Sequence, residues 1–269
     1  MLTVTFIRHG ESEDNLKALW AGWKDAPLSD LGKRQAQALG QSFSSTQITH
    51  IYTSPLLRAH ATAQSVFNLQ SEPKPSFTVS PNLREQHFGI AEGNKWVIKT
   101  PNDTPVEELW AQKIFPVQQS RQDRFPEGES LDDLARRAEV AVRECILPHV
   151  ETDNVHVAIA SHGLCISEMV AALLRLDPGS RRDISYAGLL NTAWTRVEVQ
   201  LRVGHLLHLD PVNPPPLQVR VTHVNNHDHL SWVAKEPVPL HKGDDGAQAE
   251  TRAFFGGKIA ASDAEKVAA

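Results

Sequence analysis

Cysteine is scarce in this chain, since Cys145 and Cys165 are the two that its 269 residues contain. Two cysteines cannot form the disulfide framework of a small secreted domain, so we expect partly buried thiols in a reducing compartment. No segment approaches the roughly 18 consecutive apolar residues of a membrane-spanning helix, and the first residues lack the basic start of a secretory signal. We therefore predict a cytoplasmic protein with no membrane partner.

A surplus of positive charge is also absent. Lys and Arg number 27 against 32 Asp and Glu, which gives a formal net charge of -5, so we expect no nucleic-acid partner. The hydrophobic fraction of 41% and the charged fraction of 22% exclude collagen-like, wholly disordered and coiled-coil chains. A chain of this length can bury a core of its own.

Short β-branched segments alternate with helical patterns along the first 160 residues. The predicted strands are 2–7, 48–53 and 155–160. The predicted helices are 30–43, 55–67 and 131–145, and Ser29, Ser54 and Ser130 stand before them as N-caps. This alternation indicates an α/β fold with a largely parallel sheet.

The pattern changes in the second half of the chain. Residues 193–203 and 217–224 alternate apolar and polar side chains, as half-buried edge strands do, and the proline-rich loop 210–216 separates them. An exposed edge strand here would allow a homodimer. Residues 94–124, with one helix over 106–115, are predicted to be an excursion from the sheet. We expect one domain over 1–234 and a mobile tail over 235–269, which is poor in large apolar residues.

Two predicted strands end in similar histidine sequences, Arg8-His9-Gly10 and Ser161-His162-Gly163. Because ligands bind beyond the carboxyl ends of the strands in an open α/β sheet, the two histidines can face one site. Arg58 lies in the first turns of the helix that follows a third strand. Its guanidinium can bind phosphate oxygens in a bidentate fork.

The sequence Arg8-His9-Gly10-Glu11-Ser12 with Asn15 resembles the signature of the histidine phosphatase superfamily. Further matches follow in family order at Gly22–Ala36, Tyr52–Ala63, Leu83–Gly93, Pro126–Ser130 and Ser161–Gly163. The resemblance implies the phosphoglycerate-mutase-like fold, a three-layer α/β/α sandwich with a mostly parallel central sheet and an antiparallel edge strand.

The resemblance also implies roles for individual residues. His9 is expected to be the nucleophile that forms a phosphohistidine, with Glu85, expected to be partly buried, as general acid and base. His162 completes the catalytic set. The phosphate-binding residues would be Arg8, Asn15, Arg58 and Gly163. Positive charge from the arginines and His162 would lower the pKa of His9 and stabilise the phosphoryl group, so no metal or cofactor is expected.

The substrate is less sharply indicated than the chemistry. Substrate-binding candidates are Ser12, Ala21, Gly22, Asn191 and Thr192. Trp20-Ala21-Gly22-Trp23 is similar to a motif of phosphoglycerate mutases, but Ala21 replaces a hydroxyl residue and 94–123 holds no adjacent arginine pair. We therefore expect a phosphomonoesterase acting on a small phosphorylated metabolite, such as a sugar phosphate. A phosphoglycerate mutase and a catalytically weak phospholigand-binding module remain the alternatives.

The remaining candidates are a histidine pair, Glu11 and Cys165. In a strand, His227 and His229 would lie on one face and could bind a metal, but no third ligand is evident, so a solvated or packed pair is expected. Glu11 is expected to support the loop around His9, and Cys165 is expected to be a buried helix residue.

Overall fold

The computed structural model describes residues 1–17, 19–98, 104–181, 186–202 and 214–233. The predicted tail over 235–269, most of the loop 210–216 and part of the excursion 94–124 lie outside these ranges. No helix in the described part of the chain is long and apolar enough to cross a membrane.

The described residues form eight strands, five α-helices and five short 3₁₀ helices. The strands are β1 (Leu2–Arg8), β2 (His50–Thr53), β3 (Ser76–Val79), β4 (Trp96–Val97), β5 (Phe115–Pro116), β6 (Val155–Ser161), β7 (Trp194–Leu201) and β8 (Leu217–Asn226). The helices are α1 (Asp30–Ser42), α2 (Leu57–Asn68), α3 (Val106–Ala111), α4 (Leu131–Cys145) and α5 (Gly163–Arg175).

Six strands form the central sheet in the order β3-β2-β6-β1-β7-β8. The pairs from β3 to β1 are parallel, whereas β7 and β8 add antiparallel to β1 at one side. The prediction of a mostly parallel sheet with an antiparallel edge is confirmed. Of the two predicted edge strands, β8 lies at the edge and β7 lies between β1 and β8.

Alternate residues of the central strands pack into two separate cores. Val4 and Val157 lie in a core with α4 and α5 on one face, and Ile7 and Ala158 lie in a core with α1 and α2 on the other. This is the period of two expected for strands buried on both faces. The molecule is therefore the expected three-layer α/β/α sandwich.

The serine caps are confirmed at two helices and wrong at the third. Ser29 accepts a hydrogen bond from the Gly32 N–H, and Ser130 forms a reciprocal capping box with Asp133. The α2 helix, however, begins at Leu57 and has no side-chain cap. The Ser54 hydroxyl accepts a hydrogen bond from the Leu56 N–H at 3.3 Å and bonds to the ring of His162 at 2.9 Å.

The excursion 94–124 stays apart from the central sheet. Its strands β4 and β5 pair only with each other within the described structure, and its aromatic residues pack around the buried Trp20. The helix predicted over 106–115 ends at Ala111, because Lys113 adopts a positive φ of 58° and Phe115 belongs to β5. The sequence pattern missed β3, three of whose four residues are exposed.

Both cysteines are free and buried, as expected for a packing role. Burial raises the pKa of each thiol to about 12. Cys165, three residues after His162, is therefore a protonated thiol in α5 and has no nucleophilic thiolate at neutral pH.

Candidate active site

The two histidine sequences meet at one edge of the sheet. Because β1 and β6 are adjacent, parallel and in register from Leu2 opposite Val155 to Arg8 opposite Ser161, His9 and His162 leave the sheet side by side. Their ring centroids are 5.1 Å apart. A cavity of about 80 Å³ lies beside His9 and is lined by Arg8, His9, Asp14, Asn15, Leu19, Trp20, Ala21, Gly22, Arg58, Glu85, Phe88, Trp96, Gly163, Leu164, Gly188 and Leu189.

The hydrogen bonds of His9 define its tautomer. Nδ1 lies 2.7 Å from the carbonyl oxygen of Gly10, which can only accept, so Nδ1 carries the proton. Nε2 accepts a hydrogen bond from Nε of Arg58 at 3.3 Å, so it carries a lone pair. The imidazole is neutral, and Nε2 is the atom able to attack an electrophile.

The surroundings of His9 favour this neutral form. Burial, followed by the charges of Arg58 and Arg8, holds the pKa of His9 well below its usual value, against an upward effect of the Gly10 carbonyl. The side chain is 4% exposed. A neutral imidazole is what a nucleophilic histidine needs at neutral pH.

Arg58 is buried and uses its whole guanidinium within the site. Besides the contact with His9, Nη1 donates to the carbonyl of Lys24 at 2.9 Å and Nη2 to the carbonyl of Gly22 at 2.8 Å. Burial lowers the pKa of Arg58, while the charges of Glu85 and Asp25 oppose that shift. The predicted bidentate contact of Arg58 with phosphate thus competes with these backbone hydrogen bonds. Arg58 also fixes the loop that carries Gly22.

Arg8 and Asn15 also line the cavity. Arg8 donates to the carbonyl of Leu189, which ties the β1 end to the segment before β7. The side-chain oxygen of Asn15 accepts hydrogen bonds from the Ser12 N–H at 3.0 Å and from Nδ2 of Asn191 at 3.4 Å. With its oxygen engaged, Asn15 has its amide N–H groups to offer to an anion.

His162 lies behind the cavity wall and is completely buried. Its Nε2 bonds to the Ser54 hydroxyl, and its Nδ1 has no hydrogen-bond partner among the described residues. Burial, with Arg58 and His9 next in effect, holds the pKa of His162 well below its usual value. His162 is thus neutral in this structure, in contrast to the positive charge that the sequence led us to expect of it.

Glu85 is half-buried, as expected, and sits at the N-terminus of α5. Its carboxylate accepts hydrogen bonds from the backbone N–H groups of Leu164, Cys165 and Gln86 at 3.0–3.1 Å. Helix N-termini favour negative groups, and the three contacts hold the carboxylate at the cavity wall. A Cβ atom on Gly163 would lie 4.0 Å from Glu85 Oε2, so this glycine leaves the space beside the carboxylate open.

Arg137 of α4 fixes the segment that carries Glu85, and the motif analysis missed it. Its guanidinium donates to the carbonyls of Asn82, Arg84 and Glu85 at 2.7–3.0 Å and pairs with the Glu129 carboxylate at 2.7 Å. Glu129 belongs to the Pro126–Ser130 match and also accepts the His87 N–H. Because Glu129 precedes the N-cap Ser130 of α4, no helical spacing relates it to Arg137, and the sequence carries no signal for this pair.

The substrate-binding candidates separate into two groups. Ala21 and Gly22 line the cavity. Ser12 is buried beneath it and bonds to Asn15, whereas Asn191 touches Asn15 and the His9 carbonyl from outside the lining. Thr192 is fully buried and directs its hydroxyl to the ring of His229, away from the cavity.

The loop around His9 is held as the sequence suggested. The Glu11 side chain accepts a hydrogen bond from the Ser29 hydroxyl at 2.7 Å, and its N–H donates to Gln35. A Cβ atom on Gly32 would lie 1.9 Å from the Glu11 carbonyl oxygen, so this contact between loop and α1 requires glycine.

The histidine pair near the end of β8 gives no metal site. It follows the strand, which ends at Asn226, so His227 is exposed while His229 is buried against Thr192. The expectation that both face one side was wrong, and the packed interpretation holds for His229. The described residues contain no group of three metal-ligating side chains.

The sequence did not single out the acidic and apolar part of the lining. Asp14 lies within the His9 motif and is 3% exposed. Of the large apolar lining side chains, Trp20 and Phe88 lie within sequence matches, but no motif marks Leu19, Trp96, Leu164 and Leu189. Trp20 belongs both to the buried aromatic cluster and to the cavity lining, and Trp96 packs against that cluster and also lines the cavity.

Comparison with known proteins agrees with this geometry. The model of the histidine phosphatase superfamily (branch 1) matches residues 4–210. A relative from Photorhabdus laumondii named "Probable phosphoglycerate mutase GpmB" is 32% identical over 74% of this chain and 86% of its own length. A relative of the same name from Yersinia enterocolitica is also 32% identical, with the same coverage.

Solved structures resemble the fold. A structure titled "Mycobacterial hydrolase 1" superposes with a TM-score of 0.63 at 24% identity, covering 84% of this chain and 99% of that one. A mycobacterial glucosyl-3-phosphoglycerate phosphatase superposes with a TM-score of 0.59 at 24% identity, covering 83% and 98%.

Proposed function

The chain belongs to the histidine phosphatase superfamily, branch 1, and from this membership we propose that it is a phosphomonoesterase acting through a phosphohistidine on His9. One observation carries the proposal. Nε2 of His9 holds a lone pair inside a cavity and lies 3.3 Å from a buried guanidinium. A nucleophile and a cation are thus placed to act on the same phosphoryl group.

The proposed reaction has two steps. Nε2 of His9 attacks phosphorus while the bond to the ester oxygen breaks, and the acid form of Glu85 gives its proton to the departing alcohol. A water molecule then attacks the phosphohistidine, with the Glu85 carboxylate accepting its proton. Inorganic phosphate leaves, and both His9 and Glu85 return to their starting forms.

Positive charge for the phosphoryl oxygens would come from Arg8 and Arg58. Both guanidinium groups line the cavity, and such preorganised charges stabilise the charge that spreads over the oxygens in the transition state. A dianionic phosphate placed beside His162 favours the protonated form of that ring as well. In this proposal the chain needs no metal or cofactor.

Phosphate release from a panel of esters tests the proposal. We expect release from at least one sugar phosphate, phosphoglycerate or aryl phosphate without added metal, and its loss in His9→Ala. His227→Ala, which removes an exposed histidine, serves as the matched control and should retain full activity. Equal activity in the two variants would contradict a nucleophilic role for His9.

A phosphoglycerate mutase is the second candidate, because the curated relatives carry that name. A mutase would exchange phosphate between the positions of phosphoglycerate, with dependence on a bisphosphorylated primer and little net release. Tight ester binding with neither release nor exchange would instead indicate a phospholigand-binding module. We favour hydrolysis because the motif matches lack the extra basic residues that a second anionic group would need.

We further propose that the substrate is a small phosphorylated metabolite of the cytoplasm. The low cysteine count is typical of a reducing compartment, and the net charge of -5 argues against a nucleic acid as substrate.

A further inference from the structure

The cavity beyond the phosphate-binding residues has an apolar wall. Six of its lining side chains are large and apolar: Leu19, Trp20, Phe88, Trp96, Leu164 and Leu189. The Trp20 and Phe88 rings pack with centroids 4.5 Å apart. The indole N–H of Trp20 donates to the carbonyl of Phe115 at 3.1 Å, so its one polar atom is used and its remaining surface is apolar. A leaving group in contact with this wall gains from an apolar body.

Asp14 interrupts that wall with a buried carboxylate. It lines the cavity, is 3% exposed, and has Oδ1 3.6 Å from Nζ of Lys24. Its other oxygen, Oδ2, has no hydrogen-bond partner among the described residues. Buried polar atoms are nearly always paired, so the unsatisfied oxygen marks a place for a hydrogen-bond donor from a ligand.

Among the described lining residues, positive charge is limited to the part of the cavity near His9. Two of the described lining residues carry positive charge, Arg8 and Arg58, and both are near His9 where the phosphate would bind. The lining carboxylates are Asp14 and Glu85. A phosphate dianion uses both positive charges, and the described cation beside Asp14, Lys24, already faces the Asp14 carboxylate at 3.6 Å. A carboxylate on the same substrate would therefore face Asp14 and compete with it for Lys24.

From these three observations we infer that the site selects phosphate esters whose leaving alcohol has an apolar body and a hydroxyl or ammonium donor for Asp14, and that it rejects leaving groups bearing a carboxylate. The inference rests on the proposed function, since it describes the alcohol that leaves from the phosphoryl group. It makes Asp14 a specificity-determining residue. It also separates this chain from enzymes acting on phosphoglycerates, because those substrates bear a carboxylate as well as the phosphate.

Three aryl esters of similar size test the selectivity: phenyl phosphate and its meta-hydroxymethyl and meta-carboxy derivatives. We expect the wild-type kcat/KM for the hydroxymethyl ester to exceed that for the carboxy ester by roughly a hundredfold, because like charges in a buried site repel strongly. The hydroxymethyl ester should also be better than phenyl phosphate, which offers no donor. A carboxy ester hydrolysed as fast as the hydroxymethyl ester would overturn the inference without any variant being made.

The variant Asp14→Asn tests whether the Asp14 carboxylate causes this preference between the two esters. It keeps the size of the side chain and removes its charge, so the preference for the hydroxymethyl over the carboxy ester should fall by roughly tenfold or more. Glu13→Gln removes the same charge from the exposed neighbouring residue and should leave the preference unchanged. An equal preference in Asp14→Asn and wild type, both folded by circular dichroism, would show that Asp14 is not the selecting group.

Binding to His9→Ala separates this inference from the proposed function. If none of the esters is hydrolysed by the wild type, the proposed function fails. Calorimetric affinities for the same esters then still decide the selectivity. Tighter binding of the hydroxymethyl than of the carboxy ester supports the role of Asp14, and equal or reversed affinities overturn it.

Discussion

Single atoms decide the chemistry of His9. Its Nδ1 proton is held by the Gly10 carbonyl and its Nε2 lone pair by Arg58, so the attacking atom is selected before any substrate arrives. Arg58 does this with Nε while both other nitrogens bind backbone carbonyls. Lysine has one nitrogen and cannot make the three contacts at once.

Replacing Arg58 by glutamine should change both the rate and its pH dependence. We expect kcat/KM to fall by roughly a hundredfold or more, because a buried charge near the phosphoryl group is lost. The substitution also removes the charge of Arg58, which after burial is the largest cause of the lowered pKa of His9, so that pKa rises. Protonation of His9 then begins at higher pH, and the acid limb of kcat/KM should move upward relative to wild type.

The position of the acid limb is measured from the pH dependence of kcat/KM for Arg58→Gln and wild type on one aryl phosphate. Arg143→Gln, on the exposed side of α4, controls for loss of a surface cation. An acid limb at the same pH in wild type and Arg58→Gln would mean that Arg58 does not tune His9.

Secondary-structure elements bring the general acid into place. The segment 82–87 has no strand or helix beyond a short turn at Pro81–Leu83, and it is fixed instead by α4 through Arg137 and by the α5 N-terminus. Removing one partner of such a buried, hydrogen-bonded pair leaves several polar groups unsatisfied.

We expect Arg137→Met to lower kcat more than it raises KM, because Glu85 loses its alignment while the phosphate-binding residues stay in place. The free energy of unfolding should fall by about 3–5 kcal/mol. Arg136→Met, which removes the exposed neighbouring arginine, should leave both quantities near wild type. Urea unfolding and steady-state kinetics on the two variants make the comparison, and a larger change in KM than in kcat would argue against positioning of Glu85.

The sequence was most informative where chemistry lies at the ends of strands. His9 and His162 follow β1 and β6, which are neighbours in the sheet, so two strand ends brought them together as expected. Ser54, which follows β2 and bonds to His162, was predicted only as a helix cap. The apolar wall and Arg137 were not foreseeable in this way. They come from loops and from the face of a helix, where a core residue and a site residue have the same composition and period.

The molecule as a whole buries several histidines in neutral form. Burial lowers the pKa of His156 and of His229 to about 4, and His9 and His162 are shifted in the same direction. Unfolded histidine titrates near 6.5, so below that value the unfolded chain binds more protons than the folded one. The stability contributed by these groups is complete above about pH 6.5 and is lost progressively as the pH falls towards 4.

A variant of His229 measures how much of this loss of stability at low pH comes from His229 itself. His229 is 2% exposed and bonds through Nε2 to the Thr192 hydroxyl, a contact that the amide of His229→Gln can replace without titrating. Between pH 7.5 and pH 5, the free energy of unfolding of the wild type should fall by about 2 kcal/mol more than that of His229→Gln. Urea unfolding across this range measures the difference, with the exposed His227→Gln as control. Parallel pH profiles for wild type and His229→Gln would mean that His229 binds its proton equally well in the folded and unfolded chain, and that acid instability arises at the other buried histidines.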